Sequence, residues 1–251
     1  MSETSLDRPS VAGGLGREPG PPDGSQPLDN AGWWALTTQH AEMAEVVGRA
    51  RRYRTDVSFF TSVDQFDDGS WADLAALVGP SAAFALFRGD IPSLPAGWVE
   101  GARGSGHQLT VTGDALVDVE PVTLRRLEAG DVPQILELIA LTQPGPFLPR
   151  TIEMGRYYGH FEGDRLVAMA GERLHLDGFT EISAVCTHPD VRGRGLASAI
   201  TGHVATGILD RGEQPFLHVA EGNDNARRVY ERLGFTRRRM IEFVLVETPP
   251  G

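Results

Sequence analysis

The sequence of 251 residues contains no lysine, a single cysteine and no long apolar run. Without lysine, Schiff-base chemistry and a Walker-type phosphate loop are excluded, because both need the lysine amine. The lone Cys186 excludes an intramolecular disulfide and a multi-cysteine zinc site, and no metal is expected. No apolar stretch approaches the ~20 residues of a membrane span, and the polar start lacks a signal-peptide pattern. A cytoplasmic protein without membrane association is therefore expected.

Acidic residues outnumber basic ones, and the formal net charge is −11. This balance argues against a nucleic-acid partner, because nucleic-acid binding needs a basic surface. All 23 basic residues are arginine, and 15 of them lie in residues 121–251. The second half of the chain is therefore better suited to a small polyanionic ligand.

Composition divides the chain into three regions. Residues 1–30 are rich in glycine and proline without apolar periodicity, which predicts a disordered tail. Residues 31–120 predict an N-terminal α/β unit of unassigned role. Its expected elements are a helix over about 35–52, a helix over 71–78 that Ser70 could cap, and strands at 82–87 and 107–112.

Residues 121–247 carry the clearest pattern, with elements in the order β-α-α-β-β-β-α-β-α-β. Gly163-Asp164 and Asp177-Gly178 separate three runs of alternating polarity, which predicts an antiparallel meander. Helices are expected over about 132–141 and 195–211, and a last strand around 239–246. The region therefore predicts an α+β fold, with a mixed, mostly antiparallel sheet flanked by helices.

A strand, a glycine-rich loop and a helix follow one another directly at residues 185–198. The first amides of a helix have no internal acceptor, and the helix dipole adds partial positive charge there. Glycines let a phosphate approach the backbone closely, and Arg192 and Arg194 add full charges. This stretch predicts an anion site suited to a pyrophosphate.

A second motif, Asn223-x₆-Tyr230-x₂-Leu-Gly-Phe, follows the first. Together with the loop Arg192-Gly-Arg-Gly-Leu-Ala, it resembles the two signatures of the GNAT superfamily of acetyl-CoA-dependent N-acetyltransferases. The resemblance covers about residues 121–247. It implies a GNAT fold there, while residues 31–120 are either a degenerate copy of that fold or an unrelated cap, with a weak preference for the copy.

The resemblance implies that coenzyme A binds along the fourth strand of this region and on the loop. The pantetheine arm would pair with the strand, the pyrophosphate would lie on the loop amides, and Asn223 would contact the cofactor. The residues implied in cofactor binding are Val185, Cys186, Thr187, Arg192, Gly193, Arg194, Gly195, Leu196, Ala197, Ser198 and Asn223.

The implied reaction transfers an acetyl or short acyl group from acetyl-CoA to a primary amine by direct attack. Tyr230 occupies the position of the general acid that protonates the leaving thiolate, although an aromatic packing role is the alternative. Two residues are candidates for the base: His218, whose ordinary pKa suits the task, and Glu181, whose pKa burial could raise. A nucleophilic role for Cys186 is disfavoured.

The acceptor pocket is expected along residues 143–160. Its candidates by position alone are Phe147, Arg150, Tyr157 and Tyr158. The acceptor itself, a small molecule or a peptide amine, stays open, although the acidic surface weakly favours a cationic one. The oligomeric state also stays open, with a homodimer as one option. The main alternative function is a catalytically silent acyl-CoA sensor or interaction module.

Overall fold

The computed structural model describes residues 26–251 and places eight strands in one sheet. In spatial order they are β4 (Ala83–Arg88), β11 (Thr236–Glu247), β5 (Val99–Thr110), β10 (Gln214–Ala220), β9 (Phe179–Thr187), β8 (Arg165–Leu176), β7 (Tyr157–Glu162) and β6 (Arg125–Arg126). Neighbouring strands are antiparallel except β9 and β10, which run parallel. The predicted mixed, mostly antiparallel sheet is therefore confirmed.

Helices cover both faces of this sheet. They are α1 (Ala31–Thr37), α2 (Asp68–Val78), α3 (Val132–Thr142), α4 (Leu196–Leu209) and α5 (Asp224–Arg232). Helices α4 and α5 share one hydrophobic core with the sheet, around Ile200 and Leu217, whereas α1 packs with Phe216 in a core on the other face. Within the described residues, no helix has the length and apolar character needed to cross a bilayer.

The antiparallel meander is formed by β7, β8 and β9. Gly163 and Gly178 take φ values of 60° and 77° in the turns between these strands, a conformation that glycine adopts without steric cost. The sequence also predicts a short helix over residues 151–158, and the structure has a 3₁₀ turn there, Thr151–Met154, before β7 begins at Tyr157. These elements confirm the order of strands and helices predicted for residues 121–247.

The prediction of a helix over residues 35–52 is wrong. α1 ends at Thr37, and a hairpin of β1 (Ala44–Val47) and β2 (Ala50–Tyr53) follows, joined to β3 (Thr61–Ser62) in a small second sheet. Gly48, with a φ of 50°, makes the hairpin turn. The next predicted helix is confirmed as α2, although its cap is Asp67, whose carboxylate accepts from the Ser70 amide at 2.9 Å.

The first half of the chain does not form a sheet of its own from β4 and β5. β5 lies between β10 and β11, and β4 pairs with the outer side of β11. The boundary expected at residue 120 therefore does not separate two folded units. In residues 31–120 a helix, the three antiparallel strands β1 to β3, helix α2 and the strands β4 and β5 follow one another, as in residues 121–247 but without a helix between the last two strands. The weak preference for a degenerate copy of the fold therefore stays a prediction.

The disordered tail expected over residues 1–30 lies mostly outside the described residues, which begin at residue 26. Its last part is a 3₁₀ turn, Pro27–Asn30, with Leu28 and Asn30 buried. The Asn30 amide donates to the carbonyl of Val63 at 2.7 Å. This end of the expected tail is therefore part of the folded core.

Candidate active site

Strands β9 and β10 separate halfway along their length. Their pairing ends at Ile182 and Leu217. Just beyond this point β9 contains a bulge, because Met169 and Gly171 of β8 pair with Cys186 and Ser183, one residue further apart. The gap between the two strands opens into a cleft of about 740 Å³.

The loop before α4 lines one end of this cleft. Gly193 and Gly195 have φ values of 80° and 78°, and a Cβ added to either would meet nothing within 4 Å. No backbone amide from Gly193 to Ser198 has an acceptor within residues 26–251. Six N–H groups at the positive end of a 14-residue helix therefore remain available to an anion, as the sequence predicts.

The two loop arginines differ in position. Arg192 lines the cleft, and its Nε donates to the carbonyl of Thr187 at 3.3 Å. Arg194 does not line the cleft, because its guanidinium donates to the Glu162 carboxylate of β7 at 2.7 Å. The Arg194 side chain therefore lies outside the cleft in this conformation, whereas its backbone amide is one of the six without an acceptor within residues 26–251. Its role in cofactor binding stays a prediction.

The outer half of β9 presents an open backbone edge to the cleft. Val185, Cys186 and Thr187 line it, and β8 occupies only their other side. The Thr187 hydroxyl is buried without a hydrogen-bond partner in the described part of the chain. Burial raises the pKa of the Cys186 thiol to about 11, which disfavours the thiolate and fits a packing role.

Helix α5 contributes Asn223 and Tyr230 to the opposite wall. The Asn223 side chain caps the helix by accepting from the Ala226 amide at 3.2 Å. Burial raises the pKa of Tyr230 well above its usual range, and the thiol of Cys186 adds to this shift. The Tyr230 hydroxyl has no hydrogen-bond partner among residues 26–251, so it is free to donate into the cleft.

His218 of β10 lines the far end of the cleft and is held on both sides. Its Nδ1 lies 2.7 Å from Glu181 Oε1, and its Nε2 lies 3.1 Å from the amide nitrogen of Gln108. Arg238 donates to the Gln108 oxygen at 2.8 Å, which orients that amide as a donor toward Nε2. His218 is therefore a neutral imidazole that donates from Nδ1, and burial lowers its pKa below 6.5.

Glu181 does not fit the role of a base with a raised pKa. Burial alone would raise its pKa, but two bonds from Arg173, at 2.6 and 2.8 Å, and one from His218 outweigh burial and lower it to about 2. The side chain is 1% exposed and does not line the cleft. Glu181 is a fixed anion that orients its two neighbours.

None of the four acceptor-pocket candidates lines the cleft. Phe147 and the buried Tyr157 pack edge to face in the core under α3, with ring centroids 5.3 Å apart. Tyr158 points to the other face of the sheet and packs against His203 of α4. Arg150 forms salt bridges with Asp56 and Glu153. Side-chain packing explains all four.

The sequence analysis missed two residues of this site, and it included a third, Gln143, only as the start of the segment 143–160. Arg173 and Gln108 come from β8 and β5, and Gln143 lines the cleft with a φ of 47° just after α3. A charged residue inside the apolar run of β8 was the one available signal for Arg173. Within residues 26–251, no group of His, Cys, Asp and Glu side chains is placed to hold a metal ion.

Comparison with known proteins identifies relatives of this architecture. A family model described as FR47-like protein matches residues 157–244. A mycothiol acetyltransferase from Thermomonospora curvata is 34% identical over 87 residues, which cover 34% of this chain and 29% of that protein. The chain therefore spans less than a third of the length of this curated relative.

Solved structures match over nearly the whole chain. A protein of Novosphingobium aromaticivorans described as an acetyltransferase of the GNAT family is 32% identical, with a TM-score of 0.81, over 90% of this chain and 100% of that one. A GCN5-related N-acetyltransferase from Kribbella flavida, 20% identical with a TM-score of 0.57, covers 87% and 96% and supports the fold alone. The sequence match over the full length of the Novosphingobium protein shows that this chain belongs to the GNAT family of acetyltransferases.

Proposed function

We propose that the protein is an N-acetyltransferase that moves an acetyl group from acetyl-CoA to a primary amine by direct attack. The observation that carries this proposal is one cleft that joins three features: helix and loop amides without an acceptor among residues 26–251, an open strand edge, and a tyrosine hydroxyl without a partner in the same residues. The names of the Thermomonospora and Novosphingobium relatives support acetyl as the transferred group.

The polar groups of the cleft suit the successive parts of coenzyme A. The amides from Gly193 to Ser198, with Arg192, suit a pyrophosphate. The open edge of β9 can pair with the amides of a pantetheine arm in the manner of an added strand, and Thr187 has an unpartnered hydroxyl beside it. Asn223 retains its side-chain amide as a donor at the opposite wall.

Acetyl-CoA supplies the acetyl group as a thioester and is released as the free thiol. The amine nitrogen bonds to the acetyl carbon as the carbon–sulfur bond breaks, and Tyr230 gives its proton to the sulfur. The raised pKa of Tyr230 keeps the phenol protonated at neutral pH, which is the form this step requires. The hydroxyl then recovers a proton from solvent.

His218 is the group that removes the proton from the attacking nitrogen in this proposal. It is the neutral imidazole that lines the cleft, and its lowered pKa keeps it unprotonated at neutral pH. The acceptor ammonium takes the place of the Gln108 amide as the donor to Nε2. Glu181, bound to Nδ1, stabilises the imidazolium that forms.

Calorimetric titration with acetyl-CoA and 3′-dephospho-CoA, followed by a thiol-release assay with a panel of amines, tests the proposal. We expect micromolar binding and thiol release that depends on the added amine. Absence of binding at millimolar acetyl-CoA would contradict the proposal. Tight binding without thiol release for any amine would favour the silent acyl-CoA sensor instead.

A further inference from the structure

The charge of the cleft lining differs from the charge of the whole molecule. The chain carries a net charge of −11, yet the lining formed by the described residues includes no aspartate or glutamate. It includes three arginines, Arg173, Arg192 and Arg232. Arg192 belongs to the loop with the free amides, where phosphates are expected, and Arg232 is the last residue of α5. Arg173 lies beside His218, because both side chains bind the Glu181 carboxylate, and it is not expected to contact a phosphate.

The guanidinium of Arg173 is fixed in orientation, but only some of its N–H groups have hydrogen-bond acceptors. Its Nε and one terminal nitrogen, Nη2, donate to the two oxygens of Glu181. The guanidinium lies over the ring of Phe60 at 4.9 Å, and the ring of Phe87 is 6.0 Å away. The second terminal nitrogen, Nη1, has no hydrogen-bond partner within residues 26–251. This free edge of a pre-oriented guanidinium can bind a carboxylate with two parallel hydrogen bonds.

The free edge of Arg173 is close to the point where the strands part. Its partner Glu181 pairs with Phe216, and the next pair, Ile182 with Leu217, is the last before the gap opens. Successive residues of a strand advance by about 3.3 Å, so this point lies within a few ångströms of Glu181 along β9. A ligand that reaches both Arg173 and His218 can therefore be small.

We propose that the acceptor is a small amine that also carries a carboxylate, such as an α-amino acid, and that Arg173 binds this carboxylate. The inference rests on the proposed transfer to an amine. A lining without carboxylates offers nothing to bind the second charge of a dicationic acceptor. This local chemistry replaces the preference for a cationic acceptor that net charge suggested, because the acidic residues lie outside the cleft.

Matched acceptors test the inference directly. Transfer from acetyl-CoA is measured for a panel of amino acids and for the corresponding amino-acid amides, which keep the amine and lack the carboxylate. We expect kcat/KM for the best acid to exceed that for its amide by about 10- to 100-fold, the range for one charge-assisted bidentate contact. Equal rates, or faster transfer to the amide, would overturn the inference and leave the acetyltransferase function intact.

A double variant, Arg173→Gln with Glu181→Gln, removes both charges and so leaves no unpaired charge in the core. We expect its ratio of acid to amide rates to fall to about one, whatever happens to its overall rate. Arg232→Gln, which removes the lining arginine of α5, is the matched control and should keep the wild-type ratio. A double variant that keeps the preference would show that another group binds the carboxylate.

Calorimetric titration of the preferred amino acid into protein saturated with coenzyme A gives a readout that does not depend on turnover. We expect the amino acid to bind the wild-type protein. We expect no binding of the corresponding amide to the wild type, and no binding of the amino acid to the double variant. Coenzyme A binding by the variant shows that it is folded. If the protein binds coenzyme A but releases no thiol with any amino acid or amino-acid amide, the proposed function is rejected, and this inference is rejected with it.

Discussion

The two ends of the cleft are built in different ways from the chain. The end that contains the glycine-rich loop comes from one uninterrupted stretch, residues 185–198, with a contribution from α5. The end beside His218 is assembled from β5, β8, β9 and β10, and the carbonyl of Leu28 holds the Gln108 amide at 2.9 Å. The comparison shows that a loop with free backbone amides is specified locally, whereas a buried side-chain network depends on distant residues that fold together.

Tyr230→Phe should have the largest effect on activity. Loss of the proton donor is expected to lower kcat by about 100- to 10,000-fold and to leave acetyl-CoA affinity unchanged. Tyr158→Phe, at a tyrosine that packs outside the cleft, is the matched control and should retain turnover. Steady-state kinetics with calorimetry measures both quantities, and full turnover by Tyr230→Phe would reject the general-acid role.

Glu181→Ala should have the largest effect on stability, because it leaves Arg173 buried without its partner. We expect a loss of about 3–5 kcal/mol in the free energy of unfolding, measured by denaturant titration. Asp224→Ala, which removes an exposed partner of Arg227, should change it little and serves as the control. Equal losses in the two variants would show that the network is not held by this ion pair.

The same carboxylate predicts how wild-type stability changes with pH. The pKa of Glu181 is about 2 in the folded protein, below its ordinary value of 4.5. Its contribution is therefore fully present above pH 4.5 and is lost as the pH falls toward 2. Glu181→Gln should flatten this part of the stability curve.

His218→Ala should lower kcat by about 100-fold and remove the acidic limb of the pH–rate profile. In the wild type that limb should lie below pH 6.5, because burial lowers the pKa of His218 and the base must be unprotonated. The phenol of Tyr230 should stay protonated to above pH 10. His203→Ala, outside the cleft, is the control and should leave the profile unchanged. If His218→Ala keeps the acidic limb of the wild type, another residue is the base.

Variants of the two loop arginines should have the smallest effects. We expect Arg192→Ala to weaken coenzyme A binding about tenfold through the loss of one charged contact. Arg194→Ala should weaken binding less, because Arg194 is paired with Glu162 and does not line the cleft. Calorimetry on the two single variants decides the order. The reverse order would mean that Arg194 leaves Glu162 when the cofactor binds.

Local signals in the sequence predict the conformation of the glycine-rich loop and of the meander well. Gly193 and Gly195 take the left-handed conformations that the turn needs, and the turn signals at Gly163 and Gly178 place the meander. Tyr157 and Tyr158 show the limit of such signals. Adjacent residues of a strand point to opposite faces, and here both faces are packed by helices, α3 on one and α4 on the other. Only the folded sheet shows which side chains reach the cleft.

The network around His218 is beyond sequence patterns for the same physical reason. Arg173 and Glu181 meet because β8 and β9 are paired, and Gln108 reaches His218 because β5 pairs with β10. The helix expected over residues 35–52 does not form beyond Thr37, because the turn at Gly48 and the pairing of β1 with β2 make a hairpin there.

The position of β5 between β10 and β11 has a consequence for the synthesis of the protein. A ribosome makes β5 more than 100 residues before either strand that flanks it. During that interval its two long edges have no partners in the finished sheet, and such distant pairings form slowly. The last strand to emerge, β11, closes the sheet, so a nascent chain that stops before residue 236 is expected to be prone to aggregation through an open edge.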